Sequence, residues 1–149
     1  MNKFIIAFLI LFLSSCSSIY ESKEGDRFKI EFGNIIEVGK NIEIRSNQLK
    51  VIIKDGAPLN RFGVRIQNLE KKAYDTAFDI LRFNEETQNY DAFAVGGYWL
   101  IKPPANPEYE AFLSADGNEY LPGKYKFVVV VGEGEVIEII EFVVVHASN

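Results

Sequence analysis

The last twenty-five residues constrain this chain more than any other stretch. Lys126–Val131 and Val136–Val145 are two apolar, β-branched runs separated only by Gly132–Glu135. Phe127–Val131 carries no polar residue, so that run is predicted as a strand buried on both faces in the middle of a sheet. Gly132, Glu133 and Gly134 spell a Gly-x-Gly sequence, but a phosphate cradle needs a helix after the glycines and here a strand follows. They are predicted as turn residues of a long hairpin. A two-stranded hairpin is marginal alone, so the rest of the chain has to complete its sheet.

The preceding sequence supplies short strands at close intervals. Arg27–Phe32 alternates strictly, with Phe28, Ile30 and Phe32 on one side and Arg27, Lys29 and Glu31 on the other. Gly33 and Asn34 are read as its end. Ile35–Val38, Asn41–Arg45, Leu49–Lys54 and Phe62–Asn68 follow, and Asp55-Gly56 before Ala57-Pro58 is a strong turn signal. Strands at this spacing point to a sandwich or barrel. Leu69–Phe83 fits both periods, since Leu69, Ala73, Ala77, Ile80 and Leu81 also lie at helical spacing. A strand over Asp75–Phe83 is favoured because polar Asn84–Asn89 and aromatic Tyr90–Val95 complete a hairpin, with a short helix as the alternative. Gly96-Gly97 then reads as a turn before a short strand Tyr98–Ile101, and Pro103, Pro104 and Pro107 mark an irregular loop. Tyr109–Leu113 returns to the sheet.

Leu121, Pro122, Gly123, Lys124 and Tyr125 ahead of the Val-rich strand resemble the corner before the penultimate strand of fibronectin type III and other immunoglobulin-like domains. The resemblance implies an all-β, immunoglobulin-like antiparallel β-sandwich in which Tyr125 closes the corner between sheets. The chain has one cysteine, so the inter-sheet disulfide of antibody domains is excluded.

The N-terminus says where such a domain works. Lys3 precedes Phe4–Leu13, an unbroken apolar run of 10 residues, the length of a signal-peptide core and half of the ~20 that a transmembrane helix needs. Leu13, Ser14, Ser15 and Cys16 follow, and they resemble the lipobox of bacterial lipoproteins. That resemblance implies cleavage between Ser15 and Cys16, diacylglycerol on the Cys16 thiol and an acyl chain such as palmitate on the freed amine. Several chains on one residue anchor stably, at ~0.8 kcal/mol per buried methylene. Ser17 lacks the aspartate that retains some lipoproteins at the inner membrane, which implies the outer membrane, on its periplasmic or its surface face. The expected organisation is signal peptide 1–15, lipidated cysteine and flexible tether 16–26, one domain over 27–146 and a tail 147–149. The tether, about 10 residues, has a reach of roughly 17 Å.

Without residues 1–15 the chain has 134 residues, one domain's worth, and 15 basic against 21 acidic side chains. An acidic chain without a basic stripe is a poor partner for nucleic acid. The only cysteine is assigned to lipid, so the apolar core has to hold the fold without a disulfide.

Chemistry is sparse. His146, the sole histidine, sits by the C-terminus and reads as a solvated tail residue, which leaves no nucleophile–histidine pair. Asp75 with Asp79, Glu85 with Glu86 and Glu133 with Glu135 are carboxylate pairs of the kind glycosidic chemistry uses. Chance supplies such pairs among 21 acids, and parity puts Asp75 and Asp79 on a solvated sheet face. Asp116, Asn118 and Glu119 cluster hard oxygens without the ligand spacing of a calcium loop, and no metal or cofactor is implied. The candidate binding surface is Tyr98, Trp99 and Tyr109 beside the prolines, because loop aromatics offer rigid apolar area to sugars or proteins. For Trp99, strand alternation favours a side chain facing the core of the sandwich over the surface.

The sequence therefore points to an anchored lipoprotein with a non-catalytic binding, adhesion or structural role toward an envelope protein or glycan. A small carbohydrate-active enzyme or sugar-binding module with its site near Trp99, and an accessory or inhibitor lipoprotein acting on another envelope protein, are the rival readings. Cys16→Ser is expected to leave the precursor unlipidated and move it out of the membrane fraction, read by fractionation and labelled-palmitate incorporation. A mutant that still fractionates with membrane and is cleaved normally overturns the lipobox reading.

Overall fold

The computed structural model describes residues 19–45 and 47–148, with only the backbone at Tyr98. Leu13, Ser14, Ser15 and Cys16 lie outside the described residues. The described chain is all-β: β1 (Lys23–Glu24), β2 (Phe28–Val38), β3 (Asn41–Arg45), β4 (Lys50–Lys54), β5 (Ala57–Pro58), β6 (Phe62–Asn68), β7 (Tyr74–Asn84), β8 (Asn89–Ile101), β9 (Glu110–Ser114), β10 (Gly123–Val131) and β11 (Glu135–His146). One sheet has the order β1-β2-β6-β9, with β3 also on β2; the other runs β5-β4-β11-β10-β7-β8. The two face each other as a β-sandwich. β2, β6 and β9 stand where an immunoglobulin-like domain has strands A, B and E, and β7, β10 and β11 where it has C, F and G. The ladders are antiparallel except that β4 pairs parallel with β11, from Lys50↔Val143 to His146↔Ile53.

Alternation builds the core. Phe28, Ile30 and Phe32 of β2, Val64 and Ile66 of β6 and Leu113 of β9 meet Phe78 and Ile80 of β7, Phe127 and Val129 of β10 and Phe142 of β11. β10 lies between β11 and β7 and buries Val128 on its other face as well, as an unbroken apolar strand should. Tyr125 closes the corner: its hydroxyl donates to the Leu121 carbonyl at 2.8 Å and accepts from the Leu121 N–H at 3.3 Å. The ring is fully buried, stacked on Phe142 at 5.5 Å, and burial pushes its phenol pKa up. Leu69–Phe83 contains no helix; Tyr74–Asn84 is the strand β7.

Three expectations change. Gly33-Asn34 does not end a strand, because β2 continues to Val38. Gly33 faces Gly63, and the Leu113 carbonyl of β9 occupies the place a Gly63 Cβ would take, so the glycines permit close strand approach. Gly96-Gly97 is no turn either: β8 runs through it, and the Phe78 ring lies where a Gly96 side chain would be. Finally, Ile19–Asp26, expected as part of a flexible tether, is bonded to the domain. Ile19 bridges Gln48, and the Tyr20 N–H donates to the Asn47 carbonyl at 2.6 Å while Asn47 Nδ2 donates to the Tyr20 carbonyl at 2.8 Å. Tyr20 is buried against Phe32, and Lys23 holds the buried Glu138 at 2.9 Å. Burial raises the Tyr20 phenol pKa, and Glu138 adds to the shift. Arg27 meets Glu135 at 2.6 Å, a bond that holds the exposed Glu135 carboxyl below its ordinary value.

His146 is exposed as expected, but its backbone belongs to β11.

Tyr125→Phe keeps the ring and removes both corner hydrogen bonds, leaving the Leu121 carbonyl without its phenol donor. Urea unfolding is expected to show a loss of about 1–2 kcal/mol with an unchanged m-value. A loss below about 0.5 kcal/mol, the range of an ordinary surface change, overturns the corner's role.

Candidate functional site

β8 and β9 are the outermost strands of their sheets, on the same side of the sandwich, and the loop Lys102–Tyr109 joins them. That loop is pinned by a Lys102 N–H bond to the Glu108 carbonyl at 2.8 Å, by the Lys102–Glu108 ion pair and by Asn106 N–H to the Pro103 carbonyl at 2.9 Å. Beside β9 lies an open groove of about 1220 Å³. Gly97, Trp99 and Leu100 of β8 line one part, the hairpin residues Lys40–Glu43 another, and Arg61, Arg65, Glu110 and Phe112 complete it, with Phe78 in the floor beside the glycines.

Trp99 and Leu100 are each 54% exposed, although neighbours on an ideal strand point to opposite faces. The two do point to opposite faces, because Thr76 pairs with Trp99, Asp75 with Leu100 and Tyr74 with Ile101 in regular register, and both faces of this edge strand are open to solvent here; a bulge lies just before them. Thr76 pairs with Trp99 and Phe78 with Gly96, so the single residue Ala77 stands opposite Gly97 and Tyr98. The Thr76 hydroxyl donates to the Trp99 carbonyl at 3.1 Å and holds the kink in place. Trp99 therefore lies on the surface and not in the core. Tyr109 does not join it: its hydroxyl accepts from Gln67 Nε2 at 3.4 Å and the residue is absent from the groove lining. The Tyr98 side chain lies outside what is described.

The outer face of the β6–β9 pair supplies the polar wall. Glu31, Arg65 and Phe112 stand directly opposite one another on β2, β6 and β9. The Arg65 guanidinium reaches Glu110 at 2.6 Å and Glu31 at 3.1 Å and lies 5.7 Å from the Phe112 ring centre. Partial burial works to lower the Arg65 pKa; the hydrogen bond and attraction to Glu110, then those to Glu31, outweigh it and leave the pKa raised. Each carboxylate of the groove is in an ion pair, Glu43 with Arg45 at 3.7 Å, Glu108 with Lys102 and Glu110 with Arg65. Four basic residues (Lys40, Arg61, Arg65, Lys102) face those three acids, in a chain whose formal net charge is −5.

The other candidates are placed elsewhere. Asp75 is exposed and Asp79 half-exposed on the outer side of β7, and Glu133 sits in the Gly132–Gly134 turn. Asp116 accepts from the Ser114 hydroxyl, Asn118 Nδ2 donates to the Ala115 carbonyl at 3.5 Å, and the Glu119 side chain covers Gly56. Among the described residues no group of three His, Cys, Asp or Glu side chains is arranged to hold a metal. No protein-family model matches the chain, and no curated protein matches it.

Lys40, Arg65 and Phe112 carry no sequence signal linking them to Trp99; register sets Arg65 opposite Phe112, and Trp99 reaches the same groove from the other sheet. The same geometry separates stability from surface. Arg65→Leu leaves Glu31 and Glu110 without their shared cation and is expected to cost about 1–2 kcal/mol, whereas Trp99→Ala is expected to stay within about 0.5 kcal/mol. Thermal unfolding of the two variants checks the contrast, which fails if Trp99→Ala is the more damaging.

Proposed function

We propose that this protein is a bacterial envelope lipoprotein, held in the outer membrane by lipid on Cys16, whose β-sandwich serves a non-catalytic binding role through the groove at Trp99. The observation that carries the binding reading is the large, solvent-facing indole of Trp99 beside Leu100, in a groove whose acids are already paired. Rigid aromatic area with little entropy to lose favours binding, and carboxylates engaged by cations suit a scaffold better than proton transfer. For the anchor, the support is Leu13-Ser14-Ser15-Cys16 directly after the apolar run. Ser17 and Ser18 alone separate Cys16 from the bridged Ile19, a span of at most about 11 Å between the Cα atoms of Cys16 and Ile19. A lipid on Cys16 would therefore sit near Ile19 and Gln48, whereas β8 and β9 form the opposite side of the sandwich.

A sugar-binding role for the same groove is the second reading, favoured by the single exposed indole. Photo-crosslinking in native envelopes tests the binding role, with p-benzoylphenylalanine in place of Leu100 and, as control, of exposed Ile139 on β11. A discrete adduct is expected only at position 100 and is expected to vanish with Trp99→Ala. Equal adducts at both positions, or an adduct indifferent to Trp99, overturn the assignment.

A further inference from the structure

The sheet edges are protected unequally. β1 and β5 have two residues each, and β5 includes Pro58; β9 has five and begins at Glu110; β3 has five and carries Glu43 and Arg45. Short length, proline, charge and bulges are the devices that stop a sheet edge from recruiting another strand, and over its second half β8 carries only the bulge at Gly97–Tyr98. β8 has 13 residues, and its second half, Ala94–Ile101, contains neither a charge nor a proline. Its only ladder partner is β7, and among the described residues no backbone bond outside that ladder involves Asn89–Ile101. Val95 is 79% exposed at the start of this segment, and Trp99 and Leu100 flank the groove at its end.

We infer that the ligand of this groove is an extended polypeptide segment that adds a strand to the β8 edge at Ala94–Ile101, carrying alternate apolar side chains and a carboxylate. The inference deepens the binding role proposed above and rests on it. Main-chain hydrogen bonds on an open edge supply affinity, and pockets for alternate side chains supply selectivity. Trp99 and Leu100 offer the apolar seat. The charge preference follows from the groove's balance of four basic against three acidic residues on an otherwise acidic protein. Arg65 and Lys102 are engaged with Glu110 and Glu108, and Arg61 with Glu37. Lys40, at the Gly39-Lys40 tip of the β2–β3 hairpin, makes no ion pair among the described residues and is the cation for the ligand's acid. A second copy of the same acidic chain is disfavoured by that charge.

The test is panning of a displayed random library of about eight residues, the length that matches the uncharged edge, against the purified chain from residue 17 onward. Enriched peptides are expected to alternate apolar residues and include an acid. Synthesised, they are expected to slow amide exchange within Ala94–Ile101 and to lose about tenfold in affinity when alternate backbone amides are N-methylated or when Val95→Lys places a charge on the edge. Lys40→Glu is expected to remove the preference for a carboxylate while unfolding as the parent does. No enrichment, protection confined to other strands, indifference to N-methylation, or concentration-dependent protection of β8 without peptide overturns the inference. A parallel titration of the sole Trp with cellohexaose separates the two claims: quenching without peptide binding leaves the groove a binding site and removes the peptide as its ligand.

Discussion

The structure depends on one aromatic junction across the gap between its sheets. Phe32 of β2 lies 6.1 Å from Phe127 of β10, 5.8 Å from Phe142 of β11 and 6.4 Å from Phe62 of β6. Phe62 continues to Tyr120 and Phe142, each at 5.6 Å, and Tyr120 to Tyr125 at 5.4 Å. Such pairs contribute about 0.5–1.5 kcal/mol each beyond the area they bury. With a single cysteine in the chain, this network does the cross-linking that a disulfide does in antibody domains. It also ties the corner tyrosine to strands from both sheets, so corner, sheet packing and β10 are mutually dependent.

The same junction explains why the groove exists. Phe93 of β8 packs on Tyr120 at 5.0 Å and Tyr125 at 5.3 Å, and Phe78 stacks on Phe127 at 4.6 Å beside the space left by Gly96. These contacts hold β8 to the core through its middle. Beyond the bulge at Gly97–Tyr98 the strand runs along the sheet edge in regular register, and Trp99 and Leu100 are exposed there while Ile101 is buried. Exposure of the indole is thus a consequence of how β8 is held.

Strands with one face on the junction were legible in the sequence because their period of two is written by burial. Phe28, Ile30 and Phe32 marked β2, Phe62–Asn68 matched β6 residue for residue, and the unbroken Phe127–Val131 run marked a central strand. What was not legible depends on partners distant in sequence. Gly33 and Gly96 resemble turn glycines until Gly63 and Phe78 are placed against them. Ile19–Asp26 resembles a tether because its partners, Asn47, Gln48 and Glu138, lie far down the chain. The candidate site divides in the same way. Trp99 stood out by type, and its exposure was undecidable without knowing that β8 is an edge strand; Arg65 and Phe112 read as ordinary outward strand residues; Tyr109 belonged by composition and was removed by geometry.

The two sides of the sandwich are built on opposite principles. At one side the N-terminal segment fills the gap: Tyr20 is buried against Phe32, Lys23 neutralises Glu138, and β5 covers β4 with two residues, one of them a proline. These devices close edges and leave little backbone to offer. At the other side β9 is short, β8 is long and uncharged over eight residues, and a groove stays open beside them. A long bare edge risks uncontrolled pairing, which a domain tolerates where its surroundings limit what can reach it. The lipid attachment proposed for Cys16 would supply such a limit, because it would hold copies by the closed side. Their like net charge opposes approach within a Debye length of about 8 Å. The unequal edges therefore fit the proposed arrangement, in which the closed side would take the anchor and the open side would face the ligand.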